Sequence, residues 1–209
     1  KDEKKAGAVP SNGAAAAQSD DKISVNEMLS KLAETNPLLI DGRVLIRHLG
    51  RGAFGHVFEA KTDTDQAVAI KLFKHTGKYS DALGEMIKNC NVMLDKPAAG
   101  IVRALHLHVV KTDLPLHPIA LEMEMCVASL RAWTQGKAKS VEMDEKQVLR
   151  CCLQLFRALR NLHQRGLAHK DLAARNVLIR QTGETYELLL ADLGLAKKGS
   201  AKDKQDDVG

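Results

Sequence analysis

The sequence predicts an α+β fold: a five-stranded sheet with one inserted helix, followed by a half that turns helical. Three observations carry this. Between Arg43 and Cys126, apolar residues come in short runs separated by Gly, Asp and Pro, as strands and turns require. From Asp144 to Gln164 they recur at spacings of three and four, as in a helix buried on much of its surface. The chain has 209 residues, 44% hydrophobic and 27% charged, enough for one globular domain, or two small lobes, with a real core.

Taken in order, residues 1–22 are charged, Ala-rich and punctuated by Gly and Ser, which predicts a disordered leader. A helix is expected over 23–36. Ser24-Val25-Asn26-Glu27 has capping-box spacing, and Val25, Met28, Leu29 and Leu32 share one face before Asn36-Pro37 ends it. That helix is expected to pack on the domain C-terminal to it. A first unit spans 37–126. In it Val44-Leu45-Ile46, a Gly-rich turn and Val57-Phe58 form a hairpin, and Ala67 to Phe73 is a third strand. Tyr79 to Leu94 is a helix, ended by Pro97 and Gly100, and Ile101 to Val110 and His117 to Cys126 are two further strands.

The second unit, 127–209, begins with a short helix from Ser129 to Gln135. The long helix, Asp144 to Gln164, carries Val148, Cys152, Leu155, Leu159 and Leu162, widened by Leu149, Leu153 and Phe156, and Gly166 stops it. Val177 to Ile179 and Tyr186 to Leu190 are strands around a turn at Gly183.

A net charge of +5 suits ATP, acidic peptides or nucleic acid about equally, but an aromatic content of 3% argues against a base-stacking surface, so no nucleic-acid partner is expected. Cys90, Cys126, Cys151 and Cys152 form no C-x-x-C pair and have no histidine at zinc spacing. Buried reduced thiols are expected, which favours a cytoplasmic or nuclear compartment. No apolar run reaches the ~20 residues of a membrane helix. No signal-peptide pattern is visible, but residue 1 is Lys rather than Met, which leaves the natural N-terminus open.

The chemistry concentrates in four places. In His169-Lys170-Asp171-Leu172-Ala173-Ala174-Arg175-Asn176, between the long helix and a strand, one short loop can aim a carboxylate at a hydroxyl and an amide oxygen at a metal. Gly50-Arg51-Gly52-Ala53-Phe54-Gly55 lies at a strand-to-strand turn; it is either a tight hairpin or a loop whose N–H groups approach phosphate. In Val68-Ala69-Ile70-Lys71, alternation places Ala69 and Lys71 on one face, and a lysine inside an apolar strand needs an anionic partner unless it snorkels at an edge. Asp192-Leu193-Gly194 succeeds an apolar strand, as either an ordinary strand-end turn or a metal ligand.

In this order the four motifs resemble the protein kinase family, from Arg43 to the C-terminus. The resemblance implies a bilobal fold, with a five-stranded antiparallel N-lobe sheet plus one helix and an incomplete helical C-lobe. It implies ATP and Mg²⁺ as cofactors and a protein substrate. Gly50, Gly52 and Gly55 would cover the phosphates, Val57 and Ala69 would pack on the adenine, and Lys71 would bind the α- and β-phosphates. Asp171 would accept the hydroxyl proton, and Asn176 and Asp192 would hold Mg²⁺. Met123 would be the gatekeeper, with backbone groups of Glu124 and Cys126 on the adenine edge; a plain buried strand end is the other reading there.

The chain also departs from the family. The helix partner of Lys71 is either Glu85 or, counting back from Ile101-Val102, Asn89; with Asn89 the usual ion pair is lost. Lys170 replaces Arg, and Leu193 replaces Phe. Ala173 stands where serine/threonine kinases usually carry Lys, which favours tyrosine or dual specificity. A pseudokinase or regulatory module is the alternative function. No Ala-Pro-Glu motif comes after Gly194, so a fragment is expected, with the long helix partly exposed and poor solubility. Substrate, activating partner and oligomeric state are not legible.

Overall fold

Five apolar segments pair edge to edge into one antiparallel sheet. They are β1 (Val44–Gly52), β2 (Gly55–Lys61), β3 (Ala67–Lys74), β4 (Ala104–Val109) and β5 (Leu116–Glu124), in the order β1-β2-β3-β5-β4. A computed structural model describes residues 41–52, 54–74, 99–110 and 116–198, together with Ser24, Glu27, Ser30, Gly84, Ile87 and Cys90. The expected leader, most of the 23–36 helix, Glu85, Asn89 and the tail beyond 198 lie outside the described residues. At the expected cap, Ser24 Oγ accepts from the Glu27 N–H at 3.1 Å.

Alternation along β3 gives the sheet two different faces. Val68, Ile70 and Leu72 join Phe58, Ala60 and Ala120 in an outer cluster. Phe73 and Leu121 line the inner face, where Ile87 and Cys90, both helical, pack with Ala104. The outer cluster also encloses Glu122, 2% exposed. Burial works against its charge, but hydrogen bonds from Arg43 and His108 prevail and hold its carboxyl below the usual range.

The chain leaves the sheet after Glu124. The Val127 N–H donates to the Ile179 carbonyl at 2.9 Å, and β6 (Ala128–Ser129) begins a second sheet. Ser129 caps α1 (Leu130–Thr134), accepting from the Ala132 N–H. Asp144 caps α2 (Glu145–Gln164) in a capping box with Gln147, a device that the Asp-x-x-Gln spacing signals. Gly166, at φ +73°, lies just past its C-cap as expected. Next come β7 (Leu167–Ala168), β8 (Val177–Thr182), β9 (Thr185–Leu190) and β10 (Lys197–Lys198). β6, β8 and β9 form one sheet; β10 pairs with β7. The second core gathers Cys151, Ala158 and Leu162 of α2 with Val177, Ile179, Leu188 and Leu190.

Three expectations are corrected. The fourth strand starts at Ala104, not Ile101. Residues 100–102 instead run beside β9: the Leu190 N–H donates to the Gly100 carbonyl, and the Val102 N–H to that of Leu190. The buried stripe of α2 is rotated from the expected one. Cys151 is buried and Cys152 exposed, while Leu149, Leu153 and Phe156 are 60%, 58% and 70% exposed. Cys126 is only half-buried, so of the four thiols Cys90 and Cys151 alone are fully enclosed.

Candidate active site

Lys71 occupies the middle of β3, between Val57 of β2 and Leu121 of β5 on the inner face. It is 6% exposed, so its ammonium needs compensation. Asp192 supplies it: Nζ donates to Oδ1 at 2.7 Å across 121 positions of sequence. Asp192 reaches that place because the buried end of β9, Leu188–Leu190, delivers it to the cleft and its backbone then turns left-handed, at φ +59° and ψ 67°. Leu193, next in the chain, drops into the second core.

The loop before β8 is held by its own polar groups. The Asp171 N–H donates to Nδ1 of buried His169 at 3.4 Å, and Nε2 of the same ring donates to the Ala191 carbonyl at 3.0 Å. These bonds place the ring proton on Nε2. Asn176, also buried, donates Nδ2 to both the carbonyl and the Oδ2 of Asp171, each at 2.8 Å. With both amide protons used, its side-chain oxygen is left to accept from, or coordinate, something else. The Ala191 N–H donates to the Asn176 carbonyl at 2.8 Å, which ties this loop to the residue before Asp192. Arg175 Nη2 pairs with Asp171 Oδ1 at 2.5 Å.

Gly52, Gly55 and Gly50 play different parts. A Cβ on Gly52 would lie 4.0 Å from Asp192 Oδ2, so this glycine overhangs the ion pair. A Cβ on Gly55 would sit 2.0 Å from the Leu72 carbonyl oxygen, so glycine there lets β2 approach β3. Gly50 opposes Val57 and faces open space. Ala69 is buried beside Met123. The Glu124 N–H is taken by the Arg103 carbonyl, and its side chain by the Arg103 N–H and by Arg180, at 2.7 Å each. Cys126 lies just beyond β5, its thiol pushed up to about 12 by burial, Glu124 adding and Arg180 opposing. Glu85 and Asn89 lie outside the described residues.

Thus Lys71, Asp192 and Gly52 meet at one end of the cleft, and Asp171 and Asn176 at the other, joined through Ala191. The side chain of Glu124 turns instead to Arg180, which also binds Glu187. His169 and Arg175 belong to the loop motif, but their residue types alone assign them no role. Only the fold shows His169 enclosed and Arg175 on the carboxylate. Among the described residues no cluster of three His, Cys, Asp or Glu could hold a metal. The oxygens of Asp192 and Asn176 fit Mg²⁺, which typically binds one or two protein oxygens together with substrate phosphates.

Comparison with known proteins identifies the family. The protein kinase domain family matches residues 43–209. The chain is 27% identical over 152 residues to serine/threonine-protein kinase pakA of Dictyostelium discoideum, covering 72% of this chain and 12% of that protein. It is 29% identical over 148 residues to the membrane-associated tyrosine- and threonine-specific cdc2-inhibitory kinase of Drosophila melanogaster, covering 70% and 26%. It is 30% identical over 162 residues to mitogen-activated protein kinase sma-5 of Caenorhabditis elegans, covering 77% and 31%. The chain thus spans about a third or less of the length of these relatives. The family match covers more than half of the chain, which belongs to the protein kinase domain family.

Proposed function

We propose that this chain binds ATP with Mg²⁺ in the cleft between its first sheet and the loops before β8 and after β9, and transfers the γ-phosphoryl group to a protein hydroxyl. The supporting observation is the meeting of Lys71 and Asp192 at 2.7 Å, with Asp171 and Asn176 hydrogen-bonded one peptide unit away. When nucleotide enters, its phosphates replace Asp192 as the partner of the Lys71 ammonium. Asp192 and the side-chain oxygen of Asn176 would hold Mg²⁺, which would neutralise phosphate charge. Asp171 orients the acceptor hydroxyl and takes its proton. Val57 and Ala69 offer the apolar surface on which adenine packs, and backbone groups of Glu124 and Cys126 meet its edge.

Tyrosine or dual specificity is favoured. Ala173 stands where serine/threonine members carry Lys, and Arg175 on Asp171 provides the only positive charge the described residues bring to that carboxylate. A second reading, a scaffold that works without nucleotide, draws on the same ion pair, because Lys71 and Asp192 already satisfy each other.

Thermal melting with MgATP separates the two. An active nucleotide site raises the melting temperature by about 3 °C at saturating ligand, and Lys71→Met abolishes the rise. Asp192→Asn should remove its Mg²⁺ dependence. Asn is the suitable replacement because the left-handed backbone at this position disfavours Ala. Asp171→Asn should keep the thermal shift but lower kcat by about a hundredfold or more. Acceptor peptides carrying Tyr or Ser decide specificity. No shift in the wild type supports the scaffold.

A further inference from the structure

The Lys71 ammonium is nearly enclosed, yet Asp192 is the only carboxylate among the described residues within ion-pair distance of it. If Asp192 turns to a metal, as proposed above, the ammonium gives up that partner. Two aromatic rings are in place. Nζ lies 5.5 Å from the ring centroid of Phe73 and 5.8 Å from that of Phe54, both within cation–π range. Phe73 is 1% exposed and, two positions along β3, shares the inner face with Lys71. Phe54 packs against the same cluster, and its carbonyl accepts from the Lys74 N–H at 3.0 Å, which fixes the turn over β3. Cys90 adds no charge here. Burial pushes its thiol up to about 11, Lys71 opposing and Asp192 adding, so it stays protonated near neutral pH.

We propose that Phe73, assisted by Phe54, is a positioning residue for the Lys71 ammonium, steadying it by cation–π attraction while leaving its N–H donors to the phosphates. A carboxylate would hold the ammonium by taking up one or more of its three donors. A ring face attracts the same charge without accepting a strong hydrogen bond. The glycine at position 55 complements this, since Gly55 lies directly across from Phe73 and leaves that side of the inner face without a side chain. The proposal rests on Lys71 as the phosphate ligand for its functional consequence, but not for the attraction itself.

Stepwise fluorination of the Phe73 ring tests it, because fluorine weakens the face of the ring with little change of shape. Denaturant midpoints are measured on the full chain without nucleotide, in the wild-type and Lys71→Met backgrounds. Stability should fall with each fluorine when Lys71 is present and stay flat in the Lys71→Met background. Parallel slopes in the two backgrounds would overturn the proposal. With MgATP, trifluorination should weaken nucleotide binding by about fivefold, and Phe73→Tyr should retain it where Phe73→Leu does not. If the wild type binds no nucleotide, the proposed function fails, yet the nucleotide-free comparison still decides whether the rings hold the ammonium. Fluorination of Phe54, half-buried at the turn, repeats the measurement at a position where misfolding is less of a concern.

Discussion

At the scale of single residues, Gly55 and Gly50 separate two uses of the same amino acid. Gly55→Ala forces β2 away from the Leu72 carbonyl and should cost at least ~3 kcal/mol in chemical denaturation. Gly50→Ala meets nothing and should cost under ~1 kcal/mol, so any effect it has on nucleotide affinity belongs to the ligand. His56 makes a second residue-level prediction. Burial first, then Lys74, His48 and Arg51, lower its imidazole from 6.5 to about 4. Between those values the unfolded chain takes up a proton that the folded chain refuses. The stability it protects is therefore intact above about 6.5 and declines as pH falls toward 4, by up to ~3 kcal/mol. Urea midpoints compared at pH 7 and pH 4.5 should drop further in the wild type than in His56→Gln.

At the scale of elements, the segment before β4 is seated on α2 through Gly100. Its φ is +80°, and a Cβ there would lie 2.4 Å from that of Ala158. Gly100→Ala should destabilise by ~3 kcal/mol, and adding Ala158→Gly should recover only the steric part, since the backbone strain remains. Thermal melts of the single and double variants check this. The same segment shows where the sequence stops being informative. Strands β2 and β3 were legible because alternation is a local property of Val57-Phe58 and Val68–Leu72. Ile101 and Val102 are equally apolar, but Gly100 and Val102 on either side of Ile101 hydrogen-bond to Leu190 of β9, almost ninety positions away, and nothing local distinguishes the two fates. Likewise α2 could be placed by its period, but Leu149 and Leu153 are as apolar as Leu155 and Leu162, so the face that turns inward depended on what packs against it.

For the whole molecule, Leu149, Leu153 and Phe156 form an apolar stripe on the outside of α2. Such surface promotes association. Combining Leu149→Lys with Phe156→Lys should shift the chain toward smaller species in sedimentation while leaving its melting temperature little changed, because neither side chain is in the core. The candidate site was legible in its parts and not in its assembly. Lys71, Asp171, Asn176 and Asp192 stand out by motif, but the partnership of Lys71 with Asp192 and the enclosure of His169 depend on bringing distant segments together. That assembly converges on Ala191, which gives its N–H to Asn176 and its carbonyl to His169. Both contacts are made by main chain, so no mutation of the methyl group can sever them. The two contacts belong to successive peptide planes, so exchanging the amide before Ala191 for an ester would release Asn176 alone, and exchanging the one after it would loosen His169 alone.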